Sequence, residues 1–470
     1  MELLIPLKNG SKTPLYEQIY EYIRNEIRNG GLRAAARLPS TRQLAENLKV
    51  RRSTTQLAYD QLVAEGYIEA KQYRGYFVCD TYGILEINRT VEKKEDSGGD
   101  ERCKPSSEHI VVDFSPRGID LETFPYGVWR KISRETLVDD NREMLLAGDR
   151  RGERNLREAL RDYLHSARGV ECRPEQIIIG AGNEYLLMLL AAVLGRKRVI
   201  AMETPTYRQA YLTLAGQGVE IRPVEMDGSG MKIPELENSG ADIAYVMPSH
   251  QFPTGIVMPV KRRQELLAWA GKKEGRYLIE DDYDSEFRYK GKPIPALQGM
   301  GKAEKVIYLG TFSQSIASAI RVSYMVLPPA VYQSYCEKAG FYASTVSRID
   351  QNILYRFLEK GYYERHLNRM RAVYRAKHDK LLGELKSLEN QFTVSGEYAG
   401  IHVMFTHRER TEQELIALAA GQGVKVYGLS SYFIGKEQRR KESSSVILGY
   451  ASLTEEEIEE GAARLKQAWL

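Results

Sequence analysis

The sequence has little cysteine and no long apolar run. Its four cysteines, Cys79, Cys103, Cys172 and Cys336, are too scattered to form a CxxC metal site or a disulfide scaffold, so we expect no metal centre. Their scarcity is typical of a protein kept in the reducing cytoplasm. No stretch of about 18 apolar residues occurs, which excludes a transmembrane helix. The first six residues lack a basic stretch followed by an apolar run, so we expect no secretory signal.

Composition and charge indicate a folded chain with a basic N-terminal segment. The 470 residues are 43% hydrophobic and 28% charged, which is typical of globular domains and not of disordered chains. The whole chain has a net charge of +4, and residues 1–79 contain twelve basic and eight acidic residues, which is also a net +4. All the excess positive charge therefore lies in this segment, which favours an anionic partner there, nucleic acid above all.

Residues 14–78 have the pattern of three helices and a hairpin. Apolar residues recur every four positions from residue 15 to residue 27, which predicts an amphipathic helix over 14–29 with Pro14 at its start. Ser40, followed three residues later by Gln43, predicts a capping box that begins a second, short helix. A third helix is predicted over 52–65, and apolar runs at 67–70 and 76–78 predict a hairpin. The sequence therefore predicts a winged helix-turn-helix domain at residues 1–80.

The third helix of such a domain is the element that reads DNA. Its first residues present polar side chains to base edges in the major groove, while neighbouring basic residues bind phosphates and the hairpin tip reaches a groove. The ordinary alternative is a solvated helix face with unremarkable charges. The residues that this pattern makes candidates for DNA binding are Arg42, Lys49, Arg52, Ser53, Thr54, Thr55, Gln56 and Arg74.

The rest of the chain alternates β-rich runs with helical stretches. Residues 81–110 are polar and lack apolar periodicity, which predicts a flexible linker. From residue 111 the alternation predicts a doubly wound, mostly parallel sheet. After residue 340 a long helix over 362–388 and a small α+β portion are expected. The predicted strands are 176–179, 198–202, 244–247, 277–279, 306–309 and 324–327.

Three segments of this region are candidates for a cofactor site. Asp281 follows an apolar run and is expected at the carboxyl edge of the sheet, where pyridoxal phosphate needs a carboxylate to keep its ring nitrogen protonated. Residues 180–184 join a strand to a helix N-terminus, which is a natural phosphate cradle. Arg321 is placed to pair with a phosphate. Taken singly each signal is weak, because an Asp at a strand end is usually only a polar loop residue.

The N-terminal motifs resemble the GntR family of bacterial transcription regulators. The resemblance is carried by residues 38–45, 50–54, 62–66 and 74–78, and it implies that Arg42, Arg52, Thr54 and Gly75 contact double-stranded operator DNA. Three positions depart from the family pattern. Residues 34–36 are alanines where a Pro-Gly turn is usual, and Gln56 stands where some members have a contacting Arg. Arg51 replaces a capping Ser or Thr, and we expect it to add a phosphate contact.

The large region resembles the fold-type I aminotransferases, and the whole chain resembles the MocR/GabR subfamily of GntR regulators. This resemblance is carried by residues 249–255, 280–287, 310–317, 344–347 and 448–451. It implies pyridoxal phosphate as cofactor, an amino acid or amine as effector, and a head-to-tail homodimer.

The same resemblance implies a role for each cofactor-binding residue. Asp281 is expected to pair with the pyridine nitrogen, Tyr283 to bind the ring hydroxyl and Tyr207 to stack on the ring. The phosphate is expected to be held by Ala181, Gly182, Ser313 and Arg321.

One position breaks the aminotransferase pattern. Gln314 stands where the family has the lysine that forms a Schiff base with the cofactor. An amine forms this bond with its free lone pair, whereas the lone pair of an amide nitrogen is delocalised into the carbonyl. We therefore expect pyridoxal phosphate to bind non-covalently at most, with Gln314 hydrogen-bonded to a free aldehyde or to a ready-made cofactor–amino-acid adduct.

Three interpretations remain open at this level. The chain is a transcription regulator with an aminotransferase-like sensing domain, a working aminotransferase with an accessory DNA-binding arm, or a binding module that has lost the cofactor. Gln314 argues against catalytic turnover, and the retained Asp281, Tyr283 and Arg321 argue against complete loss of the cofactor. We therefore expect the first, a regulator without enzymatic activity. One possible effector anchor outside the resemblance is Arg208, since no Arg occurs in residues 429–432, where some members carry one for a carboxylate.

Overall fold

The computed structural model describes residues 3, 5–8, 13–71, 74–79, 110–137, 142–289, 294–301, 304–435 and 443–470. The chain divides into two compact units, residues 1–104 and 105–470, and each is described separately. Apart from residue 110, the predicted linker at 81–110 lies outside the described residues, as do Gln72 and Tyr73 of the predicted hairpin turn.

The first unit is the predicted winged helix-turn-helix. Its elements are helices α1 (Leu15–Arg28), α2 (Thr41–Leu48) and α3 (Arg52–Ala64) and strands β1 (Ile68–Lys71) and β2 (Gly75–Val78). Ile19, Ile23 and Ile27 on one face of α1 are buried in the core of this unit, as their four-residue spacing predicts. The strands pair antiparallel with Ile68 opposite Val78, which makes the wing.

Local capping in this unit follows the sequence only in part. Ser40 Oγ accepts a hydrogen bond from the Gln43 backbone N–H at 3.2 Å, but the reciprocal bond of a full capping box is not among the hydrogen bonds of the described residues. The start of α3 has no side-chain cap at Arg51, as the departure from the family pattern implies. In the alanine turn, Ala35 adopts a left-handed φ of 61°, a conformation that favours glycine.

The second unit is built on an eight-stranded sheet. Its strands are β4 (Ile177–Gly180), β5 (Val199–Thr204), β6 (Glu220–Asp227), β7 (Gly230–Met231), β8 (Ile243–Val246), β9 (Tyr277–Asp282), β10 (Val306–Thr311) and β11 (Ser323–Val326). They lie in the order β4-β11-β10-β9-β8-β5-β6-β7. The pairs from β10 to β6 are parallel, whereas β11 runs antiparallel to both β4 and β10. The predicted mostly parallel sheet is confirmed, and β6 and β7 are strands that the pattern did not reveal.

Helices cover both faces of this sheet. Successive residues of one strand enter different cores: Ile200 packs with helices on one face, and Ala201 packs with Leu266 and Trp269 on the other. This alternation makes the fold doubly wound. The helices are α4 (Tyr126–Thr136), α5 (Arg154–Arg168), α6 (Asn183–Leu194), α7 (Arg208–Gly216), α8 (Ile233–Asn238), α9 (Val260–Gly271), α10 (Leu297–Met300), α11 (Pro329–Lys338) and α12 (Arg348–Glu359).

A smaller α+β part completes the chain. Helix α13 spans Tyr362–Glu384 and is followed by a 3-10 turn at Lys386–Leu388, so the predicted long helix ends four residues early. The remaining elements are β12 (Phe392–Ser395), β13 (His402–His407), α14 (Glu412–Gly421), β14 (Val424–Lys425), β15 (Tyr427–Gly428), β16 (Ser445–Gly449) and α15 (Glu455–Trp469). Strand β14 pairs with β3 (Val112–Asp113), which ties the beginning of this unit to its end. Over the described residues, no helix combines the length and apolar character needed to cross a membrane.

Candidate functional site

A cavity of about 250 Å³ opens at the carboxyl ends of the parallel strands. Its walls come from the segments that follow β4, β5, β8, β9 and β10, the edge at which ligands bind in open α/β sheets. Four of its lining residues are charged and three are aromatic. The lining residues are Pro116, Arg117, Asn183, Glu184, Tyr207, Gln209, Met247, Phe252, Asp281, Tyr283, Thr311, Ser313, Gln314, Ser318 and Arg321.

The fold brings most of the predicted cofactor residues to this cavity. The six in its wall are Tyr207, Asp281, Tyr283, Ser313, Gln314 and Arg321. Gly182 and Ala181 lie beside it: a Cβ on Gly182 would be 2.4 Å from Arg321 Nη2, and the Ala181 N–H donates to Thr345 Oγ1 at 3.0 Å. Gly182 therefore has to lack a side chain for Arg321 to occupy its position.

Asp281 is a buried carboxylate held by two donors. Tyr245 donates its hydroxyl to Oδ2, and Asn183 donates Nδ2–H to Oδ1 at 3.2 Å. Burial raises the pKa of Asp281 to about 7, although the bond from Tyr245 opposes the rise. A cationic ligand group beside this carboxylate would therefore supply a counter-charge and stabilise its ionised form.

The hydroxyl of Tyr283 belongs to a buried network of polar side chains. It lies 3.0 Å from His250 Nδ1, and the same nitrogen lies 2.7 Å from Asp284 Oδ2. Burial and the neighbouring Asp284 carboxylate raise the pKa of Tyr283 well above its usual value. Tyr283 therefore remains a protonated hydroxyl, and His250 acts as a structural partner of that hydroxyl.

Gln314 lies in the cavity wall without a complete set of partners. Its Oε1 is buried and, like Oδ1 of Asn183, has no hydrogen-bond donor among the described residues. Two unpaired acceptors in one cavity suit a ligand that carries N–H or O–H donors. No lysine is found among the cavity-lining residues that the structure describes.

Two guanidinium groups line the cavity, and sequence reasoning found only one. Arg321 donates from Nη2 to Glu184 Oε2 at 2.8 Å. Arg117, from the segment after β3, lies 5.8 Å from the centre of the Tyr207 ring and has no ion-pair partner in the described part of the chain. Arg208 is the exposed first residue of α7 and does not line the cavity. No motif marks Arg117, since it and its neighbour Pro116 are remote in sequence from the other lining residues.

In the first unit, the predicted DNA-binding residues lie on the accessible surface. Arg42, Lys49 and Arg52 line one groove between α2 and α3. Arg51, Ser53 and Arg74 are exposed, and Thr54, Gln56 and Gly75 are half-buried. Thr55 is buried instead, because its hydroxyl donates to the Thr41 carbonyl at 2.8 Å and fastens α3 to α2.

Comparison with known proteins agrees with this two-part architecture. Residues 15–78 match the family described as bacterial regulatory proteins, gntR family, and residues 120–465 match aminotransferase class I and II. The HTH-type transcriptional regulator YhdI of Bacillus subtilis is 36% identical over 100% of this chain and 98% of its own length. The probable rhizopine catabolism regulatory protein MocR of Rhizobium meliloti is 31% identical over 99% of this chain and 96% of its own. The chain belongs to the MocR-type regulators of the GntR family.

Solved structures agree on the fold of this MocR-type regulator. The multiple substrate aminotransferase from Thermococcus profundus superimposes with a TM-score of 0.68 at 25% identity, over 80% of this chain and 98% of its own. The second unit is therefore an aminotransferase fold joined to a GntR DNA-binding unit, as the sequence motifs imply. Both relatives reported above, which match nearly the whole length of this MocR-type chain, are named as regulators.

The cavity of this regulator fits pyridoxal phosphate in part. Asp281 is placed for a protonated ring nitrogen, and Gly182 leaves room beside Arg321 for a compact anion. Two features argue against the fit: Gln314 has no amine, and Glu184 already forms an ion pair with the Arg321 guanidinium. The cavity therefore offers charged and hydrogen-bonding groups, and its described lining contains no lysine.

Proposed function

We propose that this chain is a bacterial transcription regulator that senses a small molecule through pyridoxal phosphate or through a pyridoxal phosphate–amino acid adduct. The observation that carries the proposal is a cavity that combines Asp281, Tyr283 and Arg321 with Gln314 and has no lysine in its described lining. When bound, pyridoxal phosphate supplies an aldehyde and an electron-withdrawing ring. The chain contributes binding and orientation, and we infer no catalytic turnover.

The cavity residues divide this binding among them. Asp281 pairs with the ring nitrogen, Tyr283 binds the ring hydroxyl and Tyr207 stacks on the ring face. Gln314 accepts a hydrogen bond from the amino nitrogen of an adduct, which satisfies its unpaired Oε1. The phosphate is assigned to Ala181, Gly182, Ser313 and Arg321, at the N-terminus of α6.

Arg117 is the anchor that we propose for the effector. A guanidinium recognises a carboxylate through two parallel hydrogen bonds, and Arg117 is the cavity arginine without a carboxylate partner among the described residues. This placement favours an amino acid as effector over a simple amine. Replacement of Arg117 therefore weakens the response to amino acids and leaves the binding of pyridoxal phosphate itself largely unchanged.

The first unit binds the operator. Residues Arg42, Arg51, Arg52, Ser53, Thr54, Gln56, Arg74 and Gly75 are proposed to contact double-stranded DNA. The basic excess of this unit supplies the salt-dependent part of the affinity, while the start of α3 reads base edges.

A homodimer is proposed because large apolar side chains are exposed on adjacent segments of the second unit. Leu145 and Phe341 are 79% and 63% exposed. Their segments are neighbours, since Arg150 Nη1 donates to the Gly340 carbonyl at 3.3 Å. An apolar surface of this kind is typical of a subunit interface. Two DNA-binding units in one dimer, arranged head to tail, predict an operator with two half-sites.

The test joins ligand binding to DNA binding. The operator is first selected from random duplexes, and its affinity is then measured by fluorescence anisotropy without ligand, with pyridoxal phosphate, and with pyridoxal phosphate plus each amino acid. We expect one amino acid to change the operator affinity only when pyridoxal phosphate is present. An operator affinity that no combination changes would contradict the sensing function, and transamination by the wild-type chain would favour the aminotransferase alternative.

A further inference from the structure

The ion pair between Arg321 and Glu184 lies inside the cavity that we assign to the cofactor. Arg321 Nη2 donates to Glu184 Oε2 at 2.8 Å, and both side chains line the cavity wall. Their side chains are 53% and 33% exposed, so a ligand that enters the cavity reaches both of them.

The backbone holds this pair in place. Glu184 is in the first turn of α6, and Arg321 lies in the turn before β11 with a left-handed φ of 52°. A Cβ on Gly182 would be 2.4 Å from Arg321 Nη2 and 3.1 Å from Glu184 Oε2, so the glycine provides the space that the pair occupies. Burial alone would raise the pKa of Glu184, but the hydrogen bond from Arg321 and its charge lower it. The carboxylate is therefore ionised at neutral pH and neutralises the guanidinium.

A phosphate that approaches Arg321 meets this carboxylate. Both are anions, and Glu184 already accepts a hydrogen bond from Nη2 of the guanidinium. The phosphate therefore either displaces Glu184 from Nη2 or binds the remaining donors of Arg321, and in both cases it stays beside a like charge. Arg117 makes no hydrogen bond or ion pair to a carboxylate among the described residues, although its charge also lowers the pKa of Glu184, so an anion that binds Arg117 has no such bond to displace.

We propose that Glu184 is an internal counter-ion that competes with the ligand phosphate for Arg321 and makes the phosphorylated cofactor a weak, exchangeable ligand. This inference rests on the proposed function and deepens it. A regulator that releases its cofactor readily responds to the concentration of the free phosphorylated compound, whereas tight binding would keep the cavity permanently filled.

The experiment removes the negative charge of Glu184 and keeps the size and shape of its side chain. Glu184→Gln retains a carbonyl oxygen that accepts from Arg321. Pyridoxine 5′-phosphate and pyridoxine are the probes, because neither has an aldehyde that reacts with surface lysines, and they differ only in the phosphate. Calorimetric titration of the full chain in a buffer free of phosphate and sulfate gives both affinities. The matched control is Glu153→Gln, which alters an Arg348–Glu153 pair of 2.9 Å outside the cavity lining.

We expect Glu184→Gln to bind pyridoxine 5′-phosphate roughly tenfold more tightly than the wild type, because two like charges about 5 Å apart in a half-exposed site repel on this scale. Pyridoxine affinity should change less than about twofold, and Glu153→Gln should change neither. Adding Arg321→Ala to Glu184→Gln should abolish the gain. Glu184→Ala should show the same direction if the glutamine variant folds poorly.

The outcomes separate this inference from the proposed function. If the wild type and Glu184→Gln bind pyridoxine 5′-phosphate equally, Glu184 does not compete with phosphate and the inference is wrong, while cofactor binding stands. If only Glu184→Gln binds it, the inference holds and the wild type is not a cofactor sensor. If no variant binds either probe, both proposals are wrong.

Discussion

Asn183 donates a hydrogen bond from Nδ2 to Oδ1 of Asp281 over 3.2 Å. The bond joins the first residue of α6, at the proposed phosphate end of the cavity, to the carboxylate at the end of β9. Because no cation pairs with Asp281 among the residues that the structure describes, its carboxylate depends on such neutral donors for stabilisation. The predictions below begin with this carboxylate.

Asp281→Asn should stabilise the ligand-free protein at high pH. Burial raises the pKa of Asp281 to about 7, so the folded state binds a proton more tightly than the unfolded state does. A carboxyl of this kind contributes stability below its unfolded pKa and loses that contribution as the pH rises through about 7. The neutral amide does not titrate. We expect the variant to be more stable than the wild type by about 1–3 kcal/mol at pH 8, with the difference shrinking towards pH 4.

Denaturant unfolding of the wild type and of Asp281→Asn at several pH values checks this prediction. Asp162→Asn is the control, because Asp162 is exposed on α5. A stability difference that stays constant with pH would mean that the Asp281 carboxyl titrates normally.

Gln314→Lys should restore covalent binding of pyridoxal phosphate. A lysine at this position provides the amine that the described cavity lining lacks. Borohydride reduction should then fix one cofactor per chain, detected by mass spectrometry of intact protein, whereas cofactor on the wild type should be removed by dialysis. Gln209→Lys, also in the cavity lining, tests whether any lysine there suffices. A reducible adduct on the wild-type chain would mean that another lysine forms the bond.

Arg52→Ala should weaken operator binding by about 1–3 kcal/mol if Arg52 contacts a base. Arg52 begins α3 and lines the groove shared with Arg42. Anisotropy titrations on the operator and on random duplex distinguish two roles: an equal loss on both duplexes indicates a phosphate contact alone. Arg28→Ala, at the exposed end of α1, removes the same charge outside the predicted surface.

Ala35→Gly should stabilise the first unit. Ala35 has a φ of 61°, and the left-handed region costs a residue with a Cβ about 1–2 kcal/mol, of which the flexibility of glycine offsets a part. We expect a net gain of about 0.5–1 kcal/mol in the unfolding transition of this unit, followed by calorimetry. Ala34→Gly is the matched control, since Ala34 is not among the residues with positive φ and should lose stability. Equal effects of the two glycines would contradict the proposed strain.

Phe341→Glu should convert the proposed dimer into monomers. A charge at the centre of an apolar interface remains unpaired when the interface closes, which is strongly unfavourable. Light scattering at micromolar concentration measures the mass, and Val260→Glu, an exposed apolar position on α9, is the control. A wild-type chain that is already monomeric under these conditions would contradict the homodimer itself.

The sequence determined both folds and most of the cavity. The spacing of its apolar residues predicted α1, α3 and six strands of the large sheet, because regular elements arise from local patterns of apolar residues. Asp281 and Gln314 were found because each lies in a motif at the carboxyl end of a parallel strand. Arg321 precedes β11, which runs antiparallel to β10 and therefore begins at the same edge.

Only the tertiary structure brought Arg117 into the cavity and paired Glu184 with Arg321. Arg117 follows the short strand β3, which pairs with β14 more than 300 residues later in the chain, and no local pattern predicts that approach. Glu184 had the appearance of an ordinary first-turn residue of a helix, since its partner Arg321 is 137 residues away. Charges act through space rather than along the chain, so the fold alone decided that Glu184 forms an ion pair with one arginine of this cavity and not with the other.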